Sequence, residues 1–128
     1  MVVISGTYIF YLHADIGEAL MLCKTKNVDL VLLDILLPGK DKEIEKLGFV
    51  FLERLKKNPK AKSVPVIILT NLNSIEDKRK GMKLEADDYL AKSGNSPQEV
   101  LVKVKNCLAK SNRFKKPANS HRWFFVEN

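Results

Sequence analysis

Three residues of different chemistry each close a short apolar run: Asp34 after residues 28–33, Thr70 after residues 64–69, and Lys92 after residues 89–91. If these runs are neighbouring parallel strands, an acid, a hydroxyl and a cation meet at one rim. That rim lies outside the carboxyl ends of the strands, where open α/β sheets carry their chemistry on loops. A carboxylate there can act as a nucleophile and form an acyl phosphate. A phosphoryl group in transfer is highly charged and needs a cation and hydrogen-bond donors around it. Lys92 offers the charge and Thr70 the hydroxyl. Each residue also has an ordinary alternative: an Asp closing a strand often caps a helix, a Thr is a strand former, and a Lys is commonly solvated.

The elements that must position these residues alternate along the chain. Residues 7–12 (TYIFYL) are rich in aromatic and β-branched side chains and read as a strand. Asp15 opens a helix with Glu18 as its capping-box partner, and Ile16, Ala19, Leu20 and Cys23 share one face. Residues 28–33 are almost unbroken apolar sequence, which suits a parallel strand covered on both sides. Pro38-Gly39 signals a turn before the charged stretch 40–46, and Ile44, Leu47, Phe51 and Leu55 continue a helical stripe that Asn58-Pro59 should stop. Residues 64–69 form another buried strand, with Pro65 near its start, where a missing donor does least harm. Ser74 and Asp77 cap a helix running to about Leu84, and residues 89–91 form a short strand. Ser96, Pro97 and Glu99 mark the start of a final helix whose buried stripe is Val100, Leu101, Val104, Cys107 and Leu108. Beyond Lys110 the pattern dissolves, so residues 1–110 are expected to form one domain and residues 111–128 a basic, aromatic tail.

Composition bounds the rest. The 128 residues suffice for one compact core, and 45% hydrophobic with 29% charged residues is ordinary globular composition. No apolar run is long enough to span a bilayer, and residues 1–12 lack a secretion signal, so a cytoplasmic location is expected. Cys23 and Cys107 fall on apolar helix stripes and read as small hydrophobes. His13 and His121 are isolated, which leaves no zinc site.

The combined motifs are more specific than any one residue. VDLVLLDILLPG (28–39) strongly resembles the phosphoacceptor strand and loop of response-regulator receiver domains, the CheY-like family. PVIILTN (65–71) resembles their switch-threonine strand, EADDYLAKS (85–93) the segment with their switch aromatic and lysine, and HADIGEAL (13–20) their second strand running into its helix. The resemblance covers residues 6 to about 110. It implies an α/β, flavodoxin-like doubly wound parallel sheet. It makes Asp34 the phosphorylated aspartate, Pro38 the proline that follows it, and Thr70 the ligand of a phosphoryl oxygen. Lys92 becomes the partner of the phosphorylated site, and Tyr89 the aromatic whose rotamer follows the threonine. The implied role is a phosphorelay switch rather than a metabolic enzyme. A histidine kinase or phosphotransfer protein is the implied donor, and the last helix-strand-helix face the surface for a partner or a homodimer.

The pattern breaks at its start. The family's first strand ends in two acids that, with the phosphoacceptor and a backbone carbonyl two residues on, hold Mg2+. Only 33 residues precede Asp34, and TYIFYL already matches the second strand. The expectation is therefore a four-stranded sheet lacking the usual first strand and most of the first helix. It would have either a gap or TYIFYL shifted beside residues 28–33, and exposed strand edges would invite pairing with another chain. Asp34 with the Leu36 carbonyl is then a poor remnant of a magnesium site. A late start, a gene fragment, and a shortened module that binds partners without phosphorylation are three open explanations.

Smaller departures are Asn71 after the threonine, Ser93 after the lysine, Glu85 where Gly is common at a helix end, and the charged stretch 40–46.

A rival class is a small nucleic-acid-binding protein. A net charge of +7 supports it, as does a tail in which Arg113, Lys115, Lys116 and Arg122 mingle with Phe114, Trp123, Phe124 and Phe125. No recognisable DNA-binding module follows the receiver-like part, so nucleic acid is the weaker expectation. Against catalysis stand the missing Gly-rich phosphate loop and the missing nucleophile–histidine pair.

Overall fold

The structure, a computed structural model, describes residues 9–12, 16–25, 28–110 and 123–126. The strands at 9–12 and 123–126 are described through their backbone. In chain order the elements are β1 (Ile9–Leu12), α1 (Ile16–Thr25), β2 (Leu30–Leu33), β3 (Leu37–Pro38), β4 (Ile44–Glu45), α2 (Leu47–Lys57), β5 (Val66–Thr70), α3 (Ile75–Lys83), β6 (Asp88–Ala91), α4 (Pro97–Lys110) and β7 (Trp123–Val126).

β1, β7, β2, β5 and β6 form one sheet in that order, and every pairing is parallel. Alternate residues of each strand feed opposite faces. Val31, Leu33, Val66 and Ile68 join a core with Ala19, Leu20 and Cys23 of α1 and Phe49, Phe51, Leu52 and Leu55 of α2. Leu30, Leu32, Ile67, Leu69 and Leu90 point the other way, onto Val100, Val104 and Leu108 of α4. Coverage on both faces explains why residues 30–33 and 66–69 can be apolar without alternation. α3 lies on the first face, with Gly81 set against Ile68 and the Tyr89 ring.

Local signals explain most boundaries. Ser74 caps α3 by accepting from the Asp77 N–H at 3.0 Å, and Ser96 accepts from the Glu99 N–H at 3.2 Å at the start of α4. α2 ends before Asn58, whose extended backbone precedes Pro59. α3 closes in a Schellman arrangement: the Glu85 N–H donates to Met82 O and the Ala86 N–H to Gly81 O.

Three expectations need correction. The sheet has five strands, not four. The place between β1 and β2 is neither a gap nor closed by β1 moving over; β7, from the segment read as a tail, occupies it. Ile44 does not belong to the α2 stripe. It pairs with Pro38 in a small antiparallel hairpin, is 55% exposed, and leaves α2 to begin at Leu47. The charged stretch forms the tip of that hairpin, with Lys42 at φ 63. Asp15, expected to open α1, and the tail residues 111–122 lie outside the described residues.

Glu85 sits at φ 71, the left-handed conformation that favours Gly. Glu85→Gly is therefore expected to stabilise the fold by about 0.5–1 kcal/mol, read as a higher urea midpoint at unchanged slope. An unchanged or lower midpoint would contradict it.

Candidate phosphoacceptor site

Parallel register brings the three strand-end residues together. Leu33 pairs with Ile68, so Asp34 lies one residue past that pair and Thr70 two residues past it. Thr70 pairs with Ala91, and Lys92 is the next residue on. Asp34 is thus set furthest back, and the longest side chain, Lys92, reaches over to it.

The contacts are direct. Lys92 Nζ donates to Asp34 Oδ2 at 2.8 Å, and Thr70 Oγ1 donates to Asp34 Oδ1 at 3.0 Å. The Leu36 N–H also donates to Asp34 Oδ1, at 3.1 Å. Asp34 is only 6% exposed and Thr70 is fully buried. A buried carboxylate needs such donors, since an uncompensated charge there costs several kcal/mol. All three expected residues therefore meet.

Tyr89 extends the array. Its hydroxyl donates to Leu72 O at 3.0 Å, while the Leu72 N–H points at Thr70 Oγ1 at 3.4 Å. Burial, helped by the charges of Asp77 and Asp34, pushes the Tyr89 phenol up to about 12. Asp77 lies close by at the α3 start. It accepts from Ser74 Oγ at 2.6 Å and from Lys46 Nζ at 2.9 Å, and those bonds hold its carboxyl below its ordinary value.

Two features escaped the sequence reading. Lys46, read only as part of a charged stretch, lies between β4 and α2 and ties that point to the head of α3. Gly48, in the first turn of α2, lets that helix touch the loop that follows Asp34: its N–H donates to Ile35 O at 2.9 Å. A Cβ on Gly48 would lie 2.4 Å from Asp34 O and 2.5 Å from Ile35 Cα. An isolated Gly inside an apolar helical stripe was the available signal. The sequence clue to β7 was equally local: WFFV runs into Glu127 much as VLL runs into Asp34.

The thiols behave as read. Cys23 is buried, and burial pushes the half-buried Cys107 up to about 11, away from thiolate chemistry. Among the described residues no group of three or more His, Cys, Asp or Glu is placed to hold a metal ion. At the rim both Asp34 oxygens are already engaged, by Lys92, Thr70 and the Leu36 N–H. That donor set does not fit Mg2+, which favours near-octahedral oxygen ligation.

Solved structures share this architecture. The receiver domain of a Francisella response regulator aligns at a TM-score of 0.62 and 35% identity, covering 77% of this chain and 74% of its own. A CheY-like receiver domain from Methanospirillum hungatei aligns at 0.62 and 28% identity, covering 77% and 71%. The family model of the response regulator receiver domain matches residues 4–105. This chain belongs to that family. Curated relatives include the DNA-binding dual master transcriptional regulator RpaA of Synechocystis, 36% identical over 70% of this chain and 34% of its own length. The gliding motility regulatory protein of Myxococcus xanthus is 41% identical over 70% of this chain and 11% of its own. The chain therefore spans about a third or less of these relatives. Receiver domains work with histidine kinases or phosphotransfer proteins in two-component systems, and the family generally binds Mg2+ at its phosphorylation site. No helix among the described residues is long and apolar enough to cross a membrane.

Two measurements check the geometry. Gly48→Ala should cost about 1–3 kcal/mol, because backbone atoms of Asp34 and Ile35 cannot yield as a flexible side chain would; a wild-type urea midpoint would refute the close approach. Tyr89 is one of three tyrosines, and an ultraviolet titration should show one phenol ionising near 12 that vanishes in Tyr89→Phe. Because the folded value is raised, its stability contribution is complete below about 10, the unfolded value. It is lost as pH rises through about 12.

Proposed function

We propose that this receiver domain is a phosphorelay switch in which Asp34 accepts a phosphoryl group from a histidine kinase or phosphotransfer protein. The observation that carries the reading is the convergence of Lys92 and Thr70 on the two Asp34 oxygens. In the transfer, an Asp34 oxygen bonds to phosphorus while the donor's phosphorus–nitrogen bond breaks, and the electron pair leaves with the imidazole. Lys92 then balances charge at the new acyl phosphate, and the Thr70 hydroxyl turns its donor from Asp34 to a phosphoryl oxygen. The product serves as a signal, so the module is a switch rather than a metabolic enzyme. Its readout is the α3–β6–α4 face, through a partner or a second copy.

A second reading has its own support. Asp34 is fully engaged by Lys92, Thr70 and Leu36, and among the described residues no group of three or more His, Cys, Asp or Glu is placed to hold a metal ion. Both favour a module that binds its partner without phosphorylation. Incubation with acetyl phosphate and Mg2+, followed by intact mass measurement, separates the two. The first reading expects the mass of one phosphoryl group, absent in Asp34→Asn and reduced in Lys92→Ala. No gain in the wild-type chain under conditions that load a working receiver would establish the second.

A further inference from the structure

β1 joins the sheet through β7 alone among the described strands: the order is β1-β7-β2. Ile9 to Leu12 pair with Trp123 to Val126 on one side, and Leu30 to Leu33 pair with the same four residues on the other. Both edges of β7 are therefore used. With β7 out, β1 loses its partner and β2 presents a bare edge whose N–H and C=O groups need new partners. The last pair of the β2–β7 ladder is Leu33↔Val126, and Asp34 is the residue that follows Leu33. β7 thus supports β2 right up to the functional rim.

We propose that the slot between β1 and β2 is a strand-acceptor site. Its occupant is the chain's own segment 123–126, and filling it completes the sheet beneath Asp34. Recognition is by parallel main-chain pairing on both edges, the mode by which an extended peptide adds to an open sheet, here with two edges instead of one. Residues 111–122 link α4 to the occupant. They carry Arg113, Lys115, Lys116, Pro117 and Arg122 with no acid. Tethering makes the segment's effective concentration high, so it fills the slot in cis, while the same sequence supplied free competes for it. Because β7 and the Asp34 loop share β2, slot filling and the state of the rim are linked in both directions. The inference does not depend on phosphorylation.

The test uses the full chain with a site for a sequence-specific protease placed between Lys116 and Pro117. In the uncut protein, amide exchange at residues 123–126 should be as slow as at Leu30–Leu33. After cutting, the C-terminal fragment should co-elute with the body. An excess of a synthetic peptide spanning residues 119–128 should then displace it while Leu30–Leu33 stay protected. Dilution without peptide should release the fragment and remove that protection. Fast exchange at 123–126 in the uncut chain overturns the proposal, and so does release of the fragment with Leu30–Leu33 still protected. Phe124→Pro removes a ladder donor from a central strand and should reproduce the loss at Leu30–Leu33, restored by the added peptide. Retained protection in that variant counts against it as well.

Discussion

A carboxylate that is 6% exposed needs surroundings that replace the hydrogen bonds of the water it has lost. At Asp34 the replacement comes from three separate places: the ammonium of Lys92 after β6, the hydroxyl of Thr70 at the end of β5, and the Leu36 N–H of its own loop. None of them helps unless β2, β5 and β6 lie side by side in the observed register. A shift of one residue would turn Thr70 to the opposite face and move Lys92 along the rim. The site therefore constrains the sheet as much as the sheet positions the site. Removing Lys92 would leave the carboxylate with two neutral donors in a largely dry setting. Partial exposure of the lysine end makes that loss smaller than for a fully buried pair.

Much of this was legible before any coordinates, for identifiable reasons. Asp34, Thr70 and Lys92 could be found because parallel strands read as apolar runs and because strand ends face one rim. The starts of α3 and α4 were visible in Ser74 and Ser96, whose capping chemistry is local. What stayed hidden depended on contacts between distant parts of the chain. Nothing near Lys46 shows that Asp77 will lie 2.9 Å away, and the lone Gly48 in its helical stripe signals a close approach without showing that it is to Asp34 O. Ile44 was misplaced for the opposite reason. Its spacing to Leu47 fits a helix, but the hairpin bonds between Gly39 and Glu43 capture that segment first.

The largest surprise is also long-range. Residues 123–126 carry a local strand-like pattern, yet that pattern does not say which strands they pair with. The partners are β1 and β2, both parallel and each with an edge to satisfy. A segment from one end of the sequence thereby sits between a strand near the other end and one from the first third. Such pairing closes long loops before any contact rewards it, so this part of the sheet is expected to be the slow step in folding. The β2–β5–β6 part, with α2 to α4, has shorter connections and its own two-sided core.

A chain of contacts links Asp34 to a surface helix. The Thr70 hydroxyl has one proton: it points at Asp34 Oδ1, and its oxygen faces the Leu72 N–H. If that proton is drawn to a new acceptor at the rim, the Leu72 peptide loses its present partner geometry. Leu72 O in turn holds the Tyr89 hydroxyl, and the Tyr89 ring packs beneath Gly81 of α3. A Cβ at Gly81 would lie 2.7 Å from Ile68 Cδ1 and 3.0 Å from the Tyr89 ring, so α3 has little room to stay still while that ring moves. Lys46 separately holds Asp77 at the head of α3. Two links thus meet at α3, the Thr70–Leu72–Tyr89 chain on one side and the Lys46–Asp77 pair on the other. A ligand or modification at Asp34 shifts the first of them only by as much as it favours one Thr70 orientation over the other.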